Sequence, residues 1–178
     1  MTQEISIQKN TFTMHPSGGM LWHEKRMLLI ADVHLGKVSH FRKHGSAVPL
    51  RAVAANFDQL TRVADYYQAQ SICFLGDLFH SSLNTEWKLF EKWVQSRDET
   101  LILIAGNHDI ISPVKYDNLN IDIYSEFQSN GFLLTHHPEE RKGFFNFCGH
   151  IHPGIRLGGI GRQVLKLSCF FKTENQFF

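Results

Sequence analysis

The run Leu101-Ile102-Leu103-Ile104-Ala105-Gly106-Asn107-His108-Asp109 decides how the rest of the chain is read. Its apolar part is too short for a typical helix and reads as a strand buried on both faces. The run stops at a glycine and passes into three polar residues able to ligate a metal, move a proton or accept a hydrogen bond. Core packing has no use for Asn-His-Asp at that place, and open α/β sheets keep their chemistry just beyond the carboxyl ends of their strands. Asn107 and His108 are therefore the first candidates for a site.

Two further runs have the same form. Met27-Leu28-Leu29-Ile30-Ala31 leads into Asp32-Val33-His34, and Ser71-Ile72-Cys73-Phe74-Leu75 ends at Gly76-Asp77. Between them, after a loop with Gly36, Lys37 and Gly45, Pro49 suits the first turn of a helix. Val53, Phe57, Leu60, Ala64 and Tyr67 then recur at helical spacing. Asn84 is a candidate cap for a helix that turns Trp87, Phe90 and Val94 to the core. Upstream, residues 5–7 and 12–14 alternate apolar and polar as half-exposed strands do, and residues 20–22 read as another strand after the turn at Pro16-Ser17-Gly18-Gly19. Beyond Leu119 the pattern shortens to strands near 121–124, 131–135, 143–147 and 163–171. Strand–helix alternation followed by a meander predicts an α/β (α+β) fold. No repeat, linker or boundary divides residues 1–178, so a single domain is expected.

The composition agrees. The 178 residues are 43% hydrophobic and 20% charged, as a soluble globular chain is. No apolar run approaches a membrane span, and Met1-Thr2-Gln3-Glu4 does not open a secretory signal, so a cytoplasmic protein is expected. Cys73, Cys148 and Cys169 are odd in number and widely spaced, and they read as buried free thiols. The net charge of +1 is unevenly spread. No acid falls between Asp32 and Asp58, where Lys37, Arg42, Lys43 and Arg51 lie, and none falls from Arg141 to Lys172. A solvated surface is the bland reading of such stretches, and an anion-binding face the sharper one.

The second half adds His136-His137 after Phe132-Leu133-Leu134-Thr135, and His150 and His152 around Ile151 after Phe147-Cys148-Gly149. A D-x-H or H-x-H pair on a strand puts both side chains on one face. Carboxylate, amide and imidazole together suit Mn, Fe, Zn or Mg better than a thiolate-loving ion. His15, His23, His40 and His44 read as ordinary surface or core histidines, and Asp77 or Asn107 taken alone could be turn formers. Five polar clusters at strand ends in one small chain favour a site over five separate accidents.

In this order, Asp32-x-His34, Gly76-Asp77, Gly106-Asn107-His108-Asp109, His136 and Gly149-His150-x-His152 resemble the calcineurin-like metallophosphoesterases. The stretches Ala31-Asp32-Val33-His34-Leu35-Gly36-Lys37, His40-Phe41-Arg42, Gly76-Asp77-Leu78-Phe79-His80-Ser81 and His136-His137-Pro138 look like the ligase-associated DNA-repair phosphoesterases within that superfamily. The resemblance implies a four-layer sandwich of two mixed β-sheets flanked by helices, with two divalent ions, Mn before Fe, Zn or Mg, at the strand ends. It implies Asp32, His34 and His152 on one ion, Asn107, His136 and His150 on the other, and Asp77 shared. A shared carboxylate eases the repulsion of ions about 3.5–4 Å apart, and a water activated between them attacks phosphorus in line.

By the same resemblance His108 serves the leaving oxygen, with Asp109 orienting it or capping the next segment. Lys37, Arg42, His80 and His137 would contact the substrate. The implied activity is a metal-dependent phosphodiesterase or phosphoesterase, with DNA as one substrate and a DNA-repair nuclease as one role. The alternatives are a small-substrate nucleotide or nucleotide-sugar-lipid phosphodiesterase and a non-catalytic scaffold on the same fold. A functional association with a DNA ligase and helicase system is implied as well. The chain stops at Gln176-Phe177-Phe178, short of the family's usual further strand, which raises a truncated end or self-association as expectations.

Overall fold

In the computed structural model, which describes residues 1–45, 47–49, 51–80 and 85–178, the three apolar runs become neighbouring parallel strands. The first seven strands are β1 (Gln3–Ile7), β2 (Asn10–Met14), β3 (Met20–Trp22), β4 (Met27–Ile30), β5 (Ser71–Phe74), β6 (Thr100–Ile104) and β7 (Ile121–Tyr124). They lie in one sheet in that same order. β1 to β4 zigzag antiparallel, whereas β4 to β7 run parallel and need crossovers. The crossovers carry α1 (Lys37–Lys43), α2 (Arg51–Tyr67), α3 (Thr85–Gln95) and α4 (Pro113–Asp117). Each crossover steps one strand in the same direction, and right-handed connections then place the helices on one face.

This topology explains why the central strands carry no polar face. Leu28, Ile30, Ile72, Phe74, Leu101 and Leu103 point to the helices, where Leu60, Ala64, Phe90 and Tyr116 meet them. The alternate residues Met27, Leu29, Cys73, Leu75, Ile102 and Ile104 point the other way, onto a second sheet. That sheet has the order β13 (Gln176–Phe177), β10 (Phe145–Cys148), β9 (Phe132–Thr135), β8 (Phe127–Ser129). Phe12 and Trp22 from the first sheet lock against Phe147 and Phe132 of the second, with ring centroids 4.7 and 4.9 Å apart. Each such buried ring stabilises the sandwich by about 1.5–3 kcal/mol. Two mixed sheets flanked by helices are thus observed, with the described helices on the outer face of the larger sheet.

The second half departs from a meander. Residues 121–124 join the larger sheet, and β8 and β9 form a hairpin, turned by Asn130 and Gly131 at φ of 51° and 81°. β9, β10 and β13 are parallel neighbours. The expected strand over 163–171 is β12 (Val164–Ser168), paired with an unforeseen partner, β11 (Gly154–Gly158), in a separate ribbon. The expected loop after Gly36 contains α1, and Pro49 lies before α2 instead of within it. Asn84, the expected cap, lies outside the described residues, as does Ser81. Cys73 and Cys148 are buried, but Cys169 is exposed, because it follows the solvated ribbon and not a core strand. No helix among the described residues is long and apolar enough to cross a membrane.

Candidate metal centre

Five parallel strands from the two sheets deliver their carboxyl ends to one edge of the sandwich. Asp32 and His34 follow β4, Asp77 follows β5, and Asn107 and His108 follow β6. His136 follows β9, and His150 and His152 follow β10. His34 Nε2 lies 3.4 Å from His152 Nε2, with Asp32 Oδ1 3.8 Å from that same nitrogen. Around His136 Nε2 stand Asn107 Oδ1 at 3.0 Å, His150 Nδ1 at 3.3 Å and Asp77 Oδ1 at 3.4 Å. The potential ligand atoms of Asp32, Asp77 and His136 also lie within 4.8 Å of one another, so the two groups are continuous.

This donor set fits divalent ions. Imidazole lone pairs facing each other repel unless a cation or proton sits between them. An ion bound tetrahedrally at about 2.0–2.1 Å would set its nitrogens roughly 3.3–3.4 Å apart, which is the spacing found in both groups. The protonation states agree. Burial holds the His34 imidazole down at about 4, against the opposing pull of Asp77, so its nitrogens are free of charge at neutral pH. His34 Nδ1 is buried without a partner. His136 is buried and sets Nδ1 3.0 Å from the Leu75 carbonyl, which keeps the proton on Nδ1 and the Nε2 lone pair toward the cluster. Burial raises the Asp32 carboxyl, while the backbone N–H of His150 donating to it works in the opposite direction.

The backbone achieves the convergence by a route other than strand alternation. β4 ends at Ile30 and β10 at Cys148, so neither D-x-H nor H-x-H lies on a strand. Asp32, His34, Asp77, His150 and His152 all have φ between 48° and 68°, the left-handed region that side chains other than glycine seldom occupy. Such strain collects where the surroundings over-determine a functional geometry. The loops after β4 and β5 are stitched by backbone bonds: Asp32 N–H donates to the Gly76 carbonyl and His34 N–H to that of Asp77. Gly76 and Gly106 are needed for the approach. A Cβ on Gly76 would stand 2.2 Å from His136 Nδ1, and one on Gly106 would stand 2.3 Å from Asp77 Oδ1.

The remaining expected residues divide. His108 donates its backbone N–H to Asp77 Oδ1 at 2.9 Å, and its ring stacks on His80 and meets His34 edge-on. Asp109 accepts backbone N–H groups from Gly106 and Phe79 on its two carboxylate oxygens, at 2.9 and 3.1 Å. It thereby braces the turn carrying His108, and among the described residues it makes no hydrogen bond to the imidazole. His137 stays at the centre, its ring 4.2 Å from that of His150, and burial with the neighbouring His150 and His136 lowers its basicity. Lys37 lines an open cleft of about 410 Å³ with Asp32, His34, Phe41 and His152. Arg42 is not brought into that cleft: it is exposed, and its guanidinium donates to the Val48 carbonyl. Burial, then His108 and Lys37, lower the His80 imidazole.

One residue escapes any reading of the sequence alone. Glu86, buried in the first turn of α3, accepts the N–H of Gly36 at 2.8 Å and both the N–H and hydroxyl of Ser39. Gly36 starts α1 without a side chain to cap it, so Glu86 caps that helix from 50 positions away. Locally Glu86 reads as an acid at its own helix start, and no spacing signals the distant partner.

The comparisons with known proteins agree with this geometry. The model of the calcineurin-like phosphoesterase family matches residues 25–172, which include every candidate ligand. The crystal structure of a nuclease, MPE of Pseudomonas putida, superposes with a TM-score of 0.82 at 25% identity, covering 99% of this chain and 86% of that one. No curated protein matches. The family match spans most of the chain, and the chain belongs to the calcineurin-like phosphoesterases, metal-dependent hydrolases of phosphoric esters.

Proposed function

We propose that residues 1–178 act as one catalytic domain that hydrolyses phosphodiesters of nucleic acid with two divalent ions, manganese being the first candidate. One observation carries this reading: three overlapping groups of potential ligands, Asp32-His34-His152, Asp32-Asp77-His136 and His136-His137-His150, with His108 set beside them by Asp77. Asp32, His34 and His152 would hold one ion, Asn107, His136 and His150 the other, and Asp77 both. When bound, such ions supply Lewis acidity, lowering the pKa of water and drawing charge off the phosphate oxygens.

The chain's own residues do the rest. Asp77 holds the His108 backbone with one oxygen, so the carboxylate that would serve both ions also fixes where the imidazole begins. From there a His108 ring nitrogen gives a proton to the leaving oxygen, or stabilises its charge as a cation. Asp109 keeps the turn closed through Gly106 and Phe79. Lys37, with no acid between residues 33 and 57, offers a phosphate a positive rim over the open cleft, and His80 and His137 border the centre. That cleft, being open, suits a long ester, and the nuclease relative supports nucleic acid as the substrate class. The resemblance to ligase-associated phosphoesterases extends the reading to DNA repair in the cytoplasm.

The test compares bis(p-nitrophenyl) phosphate with p-nitrophenyl phosphate, with manganese and with chelator, beside His108→Asn. Diester cleavage that needs metal, and falls by about 10²–10⁴-fold in the variant without loss of bound metal, is the expected result. Turnover of neither ester with any divalent ion would sink the reading and favour a non-catalytic scaffold.

A further inference from the structure

Among the described residues, no hydrogen bond holds the His108 imidazole, although a proton donor must point at its target. Its neighbours are rings. The His80 ring stacks on it with centroids 5.1 Å apart and planes 26° from parallel. His34 meets it edge-on at 5.7 Å. His80 is itself enclosed by rings: His34 edge-on at 5.6 Å, His40 edge-on at 5.3 Å, and Phe41 near-parallel at 6.4 Å. Its backbone is pinned, because its N–H donates to the Leu35 carbonyl at 2.9 Å. Its Nδ1 is buried with no hydrogen-bond partner, so the ring is kept there by shape and not by polar bonding. Flat rings in offset contact fix one another's planes.

We propose that His80 is a positioning residue: its ring, through stacking, holds the His108 imidazole in the orientation that serves the leaving oxygen. This rests on the reading of His108 given above. It assigns His80 a role that needs a flat ring and no ionisable nitrogen, unlike direct contact with a phosphate. His40 and Phe41 of α1 act one step further out, enclosing the His80 ring.

The experiment is a double-mutant cycle with bis(p-nitrophenyl) phosphate, using His80→Ala, His80→Phe, His108→Asn and both doubles. A small displacement of a reacting group costs up to about a hundredfold. His80→Ala is therefore expected to lower kcat by roughly ten- to a hundredfold, leaving KM and bound metal unchanged, while His80→Phe keeps most of kcat. In the His108→Asn background neither change should lower kcat further. A readout apart from turnover is the NMR position of the His108 ring protons in metal-free protein. Ring-current shifts should persist in His80→Phe and collapse in His80→Ala. The proposal is overturned if His80→Phe fails as badly as His80→Ala, if the loss lies in KM or in metal content, or if the two sites are additive. It is also overturned, together with the assignment of His108, if His108→Asn leaves kcat intact; additivity with an impaired His108→Asn would remove the His80 inference alone.

Discussion

At the scale of single residues, the centre depends on side chains that are missing as much as on those present. Gly106 has an ordinary backbone, yet a methyl group there would lie 2.3 Å from Asp77 Oδ1 and 2.4 Å from Asp77 N. The nitrogen cannot swing aside as a flexible side chain could, so the β5 and β6 loops must part. Gly106→Ala should therefore cost about 1–3 kcal/mol of stability in a denaturant titration, the usual cost of overpacking. It should also weaken metal binding measured by calorimetry. Gly158→Ala, where nothing lies within 4 Å of the added atom, is the control expected to change neither.

At the scale of elements, two long-range contacts hold loops in register. Glu86 ties α3 to the start of α1, where three hydrogen bonds end on its buried carboxylate. Hydrogen bonds to a charged group contribute about 1.5–3 kcal/mol each, and removing the acceptor strands the donors. Glu86→Ala should lower stability by at least about 2 kcal/mol in chemical denaturation. The Gly36 and Ser39 amides should also exchange with solvent markedly faster. The second contact is the pair of bonds from Arg141 to the two Glu126 oxygens, each 2.8 Å, which join the start of β8 to the loop before β10. Arg141 holds the half-buried Glu126 carboxyl down at about 2. A carboxyl depressed on folding contributes stability that is present above its unfolded value of about 4.5 and lost as pH falls through about 2. Arg141→Ala should return Glu126 to the ordinary carboxylate range in an NMR titration, and the acid limb of the stability curve should flatten between those values.

At the scale of the whole molecule, stability is unevenly distributed. β4, β5 and β6 are buried between helices and the second sheet, whereas every residue of β11 and β12 is exposed. The ribbon's register sets Ile155 against Leu167 and Leu157 against Leu165 on one face, with Arg156 against Lys166 on the other. A two-stranded ribbon without a packed face is marginal in water. Hydrogen exchange should therefore find the Val164–Ser168 amides opening by local fluctuation, orders of magnitude faster than those of Leu101–Ile104, which should wait for global unfolding. Equal protection in the two would show that the ribbon belongs to the cooperative core.

Much was legible in the chain because it is written in local pattern. The runs ending at Ala31, Leu75 and Ala105 show buried parallel strands by length alone, and Asp-Val-His, Gly-Asp and Gly-Asn-His mark where each stops. The stripe from Val53 to Tyr67 declares α2 by its spacing. α1 was not legible, since none of its residues is buried and no stripe distinguishes it from a loop. Nor was the pairing of β9 with β10 and β13, because strand direction depends on where the connections run and not on composition. The sequence by itself determined the ligand types, their order and the strands that carry them, for those follow from nearest-neighbour chemistry. Only the tertiary structure decided that Asp32 and His34 reach the centre through left-handed turns, that Glu86 caps a helix 50 residues away, and that His80 lies against His108. Each of these depends on segments distant along the chain, which meet only once the strands and helices have packed.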